Sequence, residues 1–293
     1  MIILKVQGGL GNQMFQYAFA RRIQEETNKK IILDISDYEY DKLRSYTLDK
    51  FRLNNNIQID ATGKYNKIYD RRVNKLIRCM YKIAPNISYE ILSRIGIYIW
   101  DYVKYKPINI NNKKKNLFIH GYWQSTKYFN EIKKELKREL KLKSQYTNKV
   151  DDLYEKIIST NSVCVHIRRG DFLLTTNKLK VCSNQYFLNG MKEIKKKINN
   201  PIFYIFSDNI EEVKNKFSFD GFEVVFINEN RTDYQELELM YTCKHFIISN
   251  STFSWWAQYL SDSKEKIVIA PSQWYIDNRP NELVDNEWIT LEP

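Results

Sequence analysis

An α/β fold of two parallel-sheet domains is what this chain of 293 residues predicts. Three observations carry that prediction. Short apolar runs alternate with helical stretches along most of the length, the βαβα pattern from which parallel sheets are built. The chain opens as a strand, a glycine-rich turn, a helix and a second strand. The most polar cluster, His166-Ile-Arg168-Arg169-Gly170-Asp171, directly follows the apolar run Val163 to Val165. Buried parallel strands carry such continuous apolar runs, and open α/β sheets bind ligands just beyond their strand ends. The length suits two domains and is ample for two cores.

Residues 2–7 (IILKVQ) read as a buried strand, too short for a signal peptide or a membrane anchor. Gly8 to Gly11 read as a tight turn, and Asn12 to Thr27 as a helix with Met14, Phe15, Ala18, Phe19 and Ile23 on its buried face. A strand at 30–33 completes the βαβ unit. From Asp60 to about Asn116 the chain reads as helical and irregular. Residues 117–120 are a strand returning to the sheet, followed by a loop with Tyr122, Trp123 and Gln124. Glu131 to Lys143 is a highly charged helix carrying Ile132, Leu136, Leu140 and Leu142. The domain boundary is expected after it, near Gln145 to Lys149, which gives domains 1–147 and 148–293. The second domain alternates again, with strands expected at 162–166, 202–206, 223–227, 245–248 and 266–269. Its helices are expected at about 184–198, 210–216, 233–242 and 252–261. The tail 271–293 is expected to pack across the domain junction.

Composition narrows the partners. The net charge is +11, and residues 61–120 hold thirteen Lys and Arg against Asp70, Glu90 and Asp101, so nearly the whole excess lies there. The same segment carries Tyr81, Ile95, Ile97, Tyr98, Ile99, Trp100 and Tyr105. A basic amphipathic stretch suits an anionic membrane surface or an acidic lipid-linked substrate. A solvated basic face over a helical core accounts for it as well, and nucleic acid ranks below both. Four cysteines without C-x-x-C spacing and three scattered histidines suggest neither a disulfide framework nor a zinc site. A reducing cytoplasm is the simplest compartment. No apolar run approaches the roughly 18 residues of a spanning helix, so the protein is expected to be soluble, or peripheral on the inner face of the cytoplasmic membrane.

Gly9-Leu-Gly11-Asn-Gln-Met14 begins like a dinucleotide fingerprint but has Met14 where the third glycine belongs, and Asp34 is its only acidic candidate. A nicotinamide or flavin site is therefore not expected, and the absence of G-K-[ST] excludes a P-loop. In the 166–171 cluster, arginine offers a planar, permanently charged fork for phosphate oxygens. Gly170 allows a sharp turn there. The plain alternative is that Arg168 or Asp171 only salt-bridges a loop. Ser249-Asn250-Ser251-Thr252-Phe253-Ser254-Trp255-Trp256 follows an apolar strand and opens a helix. Free N–H groups and the positive dipole end make a helix start a site for anions, and a pyrophosphate fits best. For Trp255 and Trp256 a core role is favoured. Asp208 ends another strand on the same edge, where its carboxylate suits a ribose hydroxyl or a guanine N–H, or caps the helix that follows.

The HIRRGD stretch resembles the H-x-R-R-x-D motif of GDP-fucose-using α-1,2-fucosyltransferases, glycosyltransferase family 11. Four further segments fit that family in order: GGLGNQMFQYA (8–18), HGYWQSTKYF (120–129), SNSTFSWWAQYL (249–260) and APSQW (270–274). One departure is visible. Relatives often carry Ser-Asp-Asp and then a tryptophan, whereas this chain reads Ser207-Asp208-Asn209-Ile-Glu-Glu212.

The resemblance implies a GT-B architecture, two Rossmann-like domains facing across a cleft, and inverting transfer of fucose to the 2-hydroxyl of a terminal galactose in a surface polysaccharide or oligosaccharide. It places His166, Arg168, Arg169, Asp208, Asn250, Ser251, Thr252 and Phe253 at the donor, GDP-fucose. It places Asn12, Gln13, Trp123 and Gln124 toward the acceptor, a galactoside, and counts Asn12 with Arg168, Asp171 and His166 among the catalytic residues, Asn12 being also suited to capping a helix. There is no D-x-D pair to hold a divalent metal, so no cofactor is expected and Arg168 is assigned to the β-phosphate. Arg169 gives supporting charge or holds the loop. Asp171 and His166 are the candidate bases, and the base stays unassigned. A different GDP-sugar or acceptor is the nearer alternative. A basic nucleic-acid-binding protein is the alternative from another class.

Overall fold

Two fully parallel sheets organise the chain. The computed structural model describes residues 1–66, 79, 83–100, 104–149, 151–169, 180–228, 230–277, 279 and 281–293. They divide into two compact units, Met1–Leu140 and Lys141–Pro293.

In the first unit the strands are β1 (Ile2–Lys5), β2 (Ile31–Asp34), β3 (Ile57–Asp60), β4 (Ile97–Trp100) and β5 (Leu117–Gly121). Their order across the sheet is β3-β2-β1-β5-β4, every neighbouring pair parallel. All four residues of β1 are buried, as a central strand covered on both faces requires. Helix α1 (Leu10–Thr27) follows the glycine turn and stops at Asn28, whose φ of 52° is the left-handed cap that asparagine tolerates. Helix α2 (Pro85–Arg94) precedes β4, and α3 (Lys133–Glu139) closes the unit. Inside it, Arg21 Nε on α1 meets Glu139 Oε2 on α3 at 3.0 Å, and the Tyr17 hydroxyl donates to the same carboxylate.

Among the described residues the 60–116 span is helical at α2, as read, but it also holds strand β4, and β3 runs into its start at Asp60. The apolar run Ile97–Trp100 gains more from pairing with β5 than from extending the helix. Tyr98, Ile99 and Trp100 are buried in β4. Those side chains therefore belong to the core, not to an amphipathic surface. Tyr81 lies outside the described residues, as do 67–78 and 101–103.

The second unit contains α4 (Asp152–Ser159), β6 (Asn161–Ile167), α5 (Asn184–Lys197), β7 (Pro201–Ser207), α6 (Ile210–Lys216) and β8 (Glu223–Phe226). It continues with α7 (Asp233–Thr242), β9 (His245–Ile247), α8 (Thr252–Leu260), β10 (Val268–Pro271) and β11 (Ile289–Leu291). The parallel order is β11-β10-β9-β6-β7-β8. Each strand and helix expected there is present within about two residues of its expected ends. The end of the tail is β11, the edge strand beside β10. Packing under the sheet is close: a Cβ added to Gly190 of α5 would stand 3.0 Å from Ile247 of β9. Trp255 and Trp256 are core, at 1% and 0% exposure. No helix among the described residues is long and apolar enough to cross a membrane.

The second sheet reverses its direction of winding once, and the first breaks its strand order at the corresponding place, beside its central strand β1. In the first, β1 leads outward to β2 and β3, the chain then crosses to β4 at the opposite edge, and β5 fills the place between β4 and β1. In the second, β6 leads to β7 and β8, and the chain returns to β9 on the other side of β6. Beyond the carboxyl ends at such a reversal the connecting loops part and leave a crevice, the usual ligand position in open α/β sheets.

Candidate active site

In the second unit the sequence motifs meet at that crevice. His166, near the end of β6, is 2% exposed, and its Nδ1 lies 3.0 Å from Ser249 Oγ just past β9. One side chain pair thus bridges the two strand ends. Its ring also stands beside Phe253, centroids 5.7 Å apart. Burial, with the Arg168 charge second, pushes the His166 imidazole down to about 3. At neutral pH it is an uncharged hydrogen-bonding group and a weak base.

Arg168 Nε is 3.1 Å from Asp208 Oδ2, and the other Asp208 oxygen accepts the Arg169 backbone N–H at 2.7 Å. The end of β7 therefore holds the loop after β6 through a single carboxylate. Asp208 thus orients Arg168, and Gly170 and the candidate base Asp171 lie outside the described residues. The helix cap is supplied by the neighbour: Asn209 Oδ1 accepts from Glu212 N at 3.1 Å at the start of α6. The position where relatives often carry a second carboxylate is thus a cap in this chain.

Arg169 turns away from Arg168. It donates to Asn184 Oδ1 at 2.7 Å and lies 4.9 Å over the Phe217 ring, so it ties the loop to α5 and to the end of α6. Asn250 is 2% exposed and donates its amide hydrogens to the Lys180 and Trp274 carbonyls at 2.6 and 2.9 Å. Both residues serve as framework here. Ser251 caps α8, its Oγ accepting from Phe253 N at 3.3 Å, with Thr252 and Phe253 half-buried beside it.

The first unit bridges its own break in strand order in the same way. Gln124, past β5, donates to Asn12 Oδ1 at 2.9 Å, and Asn12 sits in the first turn of α1 beyond β1. Gly8 has a φ of +79°, and a Cβ there would stand 2.9 Å from Asn12 Nδ2, so only glycine lets the turn close over that amide. Gln13 is wholly buried. It donates to the Gly8 and Ser45 carbonyls at 3.0 and 2.8 Å and accepts from Thr47 N at 3.1 Å, so it pins the 45–47 loop to the turn. Trp123 is 1% exposed and stacked on Phe19 at 4.0 Å, which makes it core. The exposed aromatic of that loop is Tyr122.

Three residues beside the glycine turn were missed from sequence. The Tyr38 hydroxyl donates to Gly8 O at 2.7 Å, Tyr46 packs near Tyr38, and the Arg44 guanidinium lies 3.7 Å from where a Gly9 Cβ would stand. Nothing in their spacing marks them, since they reach the turn only through the fold.

The sequence profile described as Glycosyl transferase family 11 matches residues 1–292. The chain belongs to that family. An alpha-1,2-colitosyltransferase of Escherichia coli is 33% identical, covering 100% of this chain and 99% of its own. The O-antigen biosynthesis glycosyltransferase WbnK, also from Escherichia coli, is 28% identical over 98% of this chain and 99% of its own. Among solved structures, NodZ alpha-1,6-fucosyltransferase of Bradyrhizobium, co-crystallized with GDP, matches with a TM-score of 0.56 at 14% identity. That match covers 89% of this chain and 92% of the other. The family 11 chain thus shares the GT-B-type, two-sheet α/β fold of a fucosyltransferase, as its motifs implied.

Proposed function

We propose that this family 11 glycosyltransferase moves L-fucose from GDP-β-L-fucose to the 2-hydroxyl of a terminal galactose in an oligosaccharide or O-antigen-type acceptor, with inversion and without a metal. One observation carries the donor half. Arg168, held by Asp208, and the His166–Ser249 pair stand together with the amino end of α8 at the reversal of the second sheet. The crevice at such a reversal receives nucleotides, and a helix start and an arginine fork both favour a diphosphate.

In this reading the acceptor hydroxyl attacks the anomeric carbon from the side opposite GDP and gives up its proton late, to water or to the departing diphosphate. The bond to the β-phosphate oxygen breaks and its electron pair leaves with the phosphate. Arg168 meets that growing charge with donors already aimed by Asp208, so no reorganisation is needed at the moment of transfer. His166 stays neutral and orients Ser249 and the donor. It is set aside as the base, because an imidazole titrating near 3 holds a proton poorly at working pH. On the acceptor side, Asn12 and Gln124 pair beyond β1 and β5, with Tyr122 exposed in the Gln124 loop and Arg44 beside the glycine turn.

A second reading has its own support in the full-length similarity to a colitosyltransferase. Colitose is fucose without its 3-hydroxyl. A site that hydrogen-bonds this hydroxyl rejects the deoxy analogue by about 10⁴-fold, whereas an apolar lining discriminates weakly. The deciding experiment is GDP release from GDP-fucose and from GDP-colitose, each with and without lactose or N-acetyllactosamine, in EDTA. Acceptor-dependent release from GDP-fucose supports the first reading. Release from GDP-colitose alone replaces the donor, and background release from both, with GDP still stabilising the protein, overturns the acceptor.

A further inference from the structure

Helix α2 has two apolar faces and only one is covered. Ser88, Tyr89 and Leu92 face inward, and the Tyr89 ring stands 5.7 Å from that of Trp100 on β4. On the outer side Ile87 and Ile91 stand one turn apart on the helix, Ile95 follows at its carboxyl cap, and Ile83 precedes the non-helical Ala84 at its amino end. Ile83, Ile87, Ile91 and Ile95 are 79%, 60%, 48% and 57% exposed. Isolated exposed isoleucines are ordinary, but Ile87, Ile91 and Ile95 in succession, spanning about 12 Å at 1.5 Å per residue, form a ridge that Ile83 extends.

What surrounds the ridge selects its partner. Arg94 lies in the last turn, in line with the ridge, and Glu90 is the acidic residue beside it. Lys106, near the amino end, turns inward over the Tyr89 and Trp100 rings, so the basic flank is drawn from the carboxyl end. The turn carrying Lys113, Lys114 and Lys115 lies at the carboxyl end, where Lys114 Cβ is 3.4 Å from the position of a Cβ on Gly96. We propose that this ridge docks the enzyme on an anionic lipid surface, the isoleucines entering the acyl boundary and the lysines and Arg94 lying at headgroup level.

The chemistry favours lipid over the other occupants. A second copy would bring the same basic flank against this one and be repelled. Nucleic acid would match the charge but not an aliphatic ridge, since bases stack on aromatic rings. Apolar side chains entering the acyl region, flanked by cations, match an anionic bilayer on both counts. The aromatic residues Tyr98 and Trp100 take no part, being buried in β4. This inference goes beyond the proposed reaction and stands whichever sugar is transferred. It also brings the enzyme to the surface on which a lipid-linked acceptor would lie.

The test is co-sedimentation of the whole protein with phosphatidylcholine vesicles, with and without phosphatidylglycerol. The double variant Ile87→Glu/Ile91→Glu and the pair Lys113→Glu/Lys115→Glu change only exposed side chains, and thermal melting with and without GDP reports their folding. Wild type is expected to partition to the anionic vesicles and to be released by salt. Each double variant is expected to weaken partitioning by about tenfold or more, with turnover of a soluble acceptor unchanged. Equal partitioning to both vesicle types, or full binding by the isoleucine variant, overturns the proposal. So does a concentration-dependent dimer that the isoleucine variant abolishes while wild type ignores vesicles, because the ridge then belongs to a second copy.

Discussion

Asp208 gives one oxygen to Arg168 and the other to the backbone of Arg169, so a single carboxylate aims the cation proposed to face the departing diphosphate. Arg168→Ala is expected to lower kcat by about 10²–10³, with acceptor KM little changed, because the lost donor acts on charge that develops only in the transition state. Lys is expected to rescue incompletely, since it has no planar fork. Near-normal turnover of Arg168→Ala would remove Arg168 from the donor site. His166 makes a separate prediction in stability. Its folded pKa is depressed to about 3 from 6.5, so between those values the unfolded chain takes up a proton that the folded one refuses. Stability is therefore present above about pH 6.5 and is lost as pH falls toward 3, with a limiting slope of about 1.4 kcal/mol per pH unit from this residue. His166→Gln should flatten that slope in denaturant titrations run across the range. An unchanged slope would mean that the imidazole is solvated.

At the scale of elements, α1 is locked to α3 by a charge pair that water hardly reaches: the Arg21 and Glu139 side chains are each 4% exposed. Arg21→Ala leaves Glu139 buried without its cation, at a cost of about 3–5 kcal/mol, while Arg21→Met with Glu139→Leu should recover most of that loss. Chemical denaturation of the two variants separates a broken pair from a pair that is merely replaceable. Gly121 supports the neighbouring strands differently. Its φ is +133° and a Cβ would stand 2.2 Å from Trp100 O, so Gly121→Ala must push β4 away from β5. A loss of at least about 2 kcal/mol is expected, and a melting temperature equal to wild type would show that the strand ends yield freely. Legibility from sequence follows the same division. Strands β6, β7 and β9 run buried and apolar between clear turns and were readable. The edge strand β3 alternates over only four positions, Ile57-Gln58-Ile59-Asp60, and β4 sits among basic and aromatic residues, so neither local pattern is long enough to stand out and pairing with β2 and β5 decides both. The donor motifs were readable because strand ends display them in sequence. Arg44, Tyr38 and the roles of Asn250 and Trp123 were not, since burial and reach depend on which loop closes over which.

At the scale of the whole molecule, the two units carry distinct halves of the proposed chemistry, and ligand linkage should divide along the same line. Every residue assigned to the donor lies in Lys141–Pro293, and those assigned to the acceptor lie in Met1–Leu140. GDP alone should therefore slow amide exchange at the ends of β6 and β7 and at the start of α8, and leave the Gly8–Asn12 turn and the 122–124 loop unprotected. At about 100 times its Kd, GDP would add about 2.7 kcal/mol to the stability of the unit that holds it. Exchange mass spectrometry reads both effects in one experiment. Arg168→Ala should weaken the protection in the second unit without altering exchange in the core of the first, because the two sheets have separate hydrophobic interiors. Protection by GDP that centres on the glycine turn would reverse the assignment of donor and acceptor halves. That outcome would also recast Arg44, beside Gly9, as the phosphate ligand.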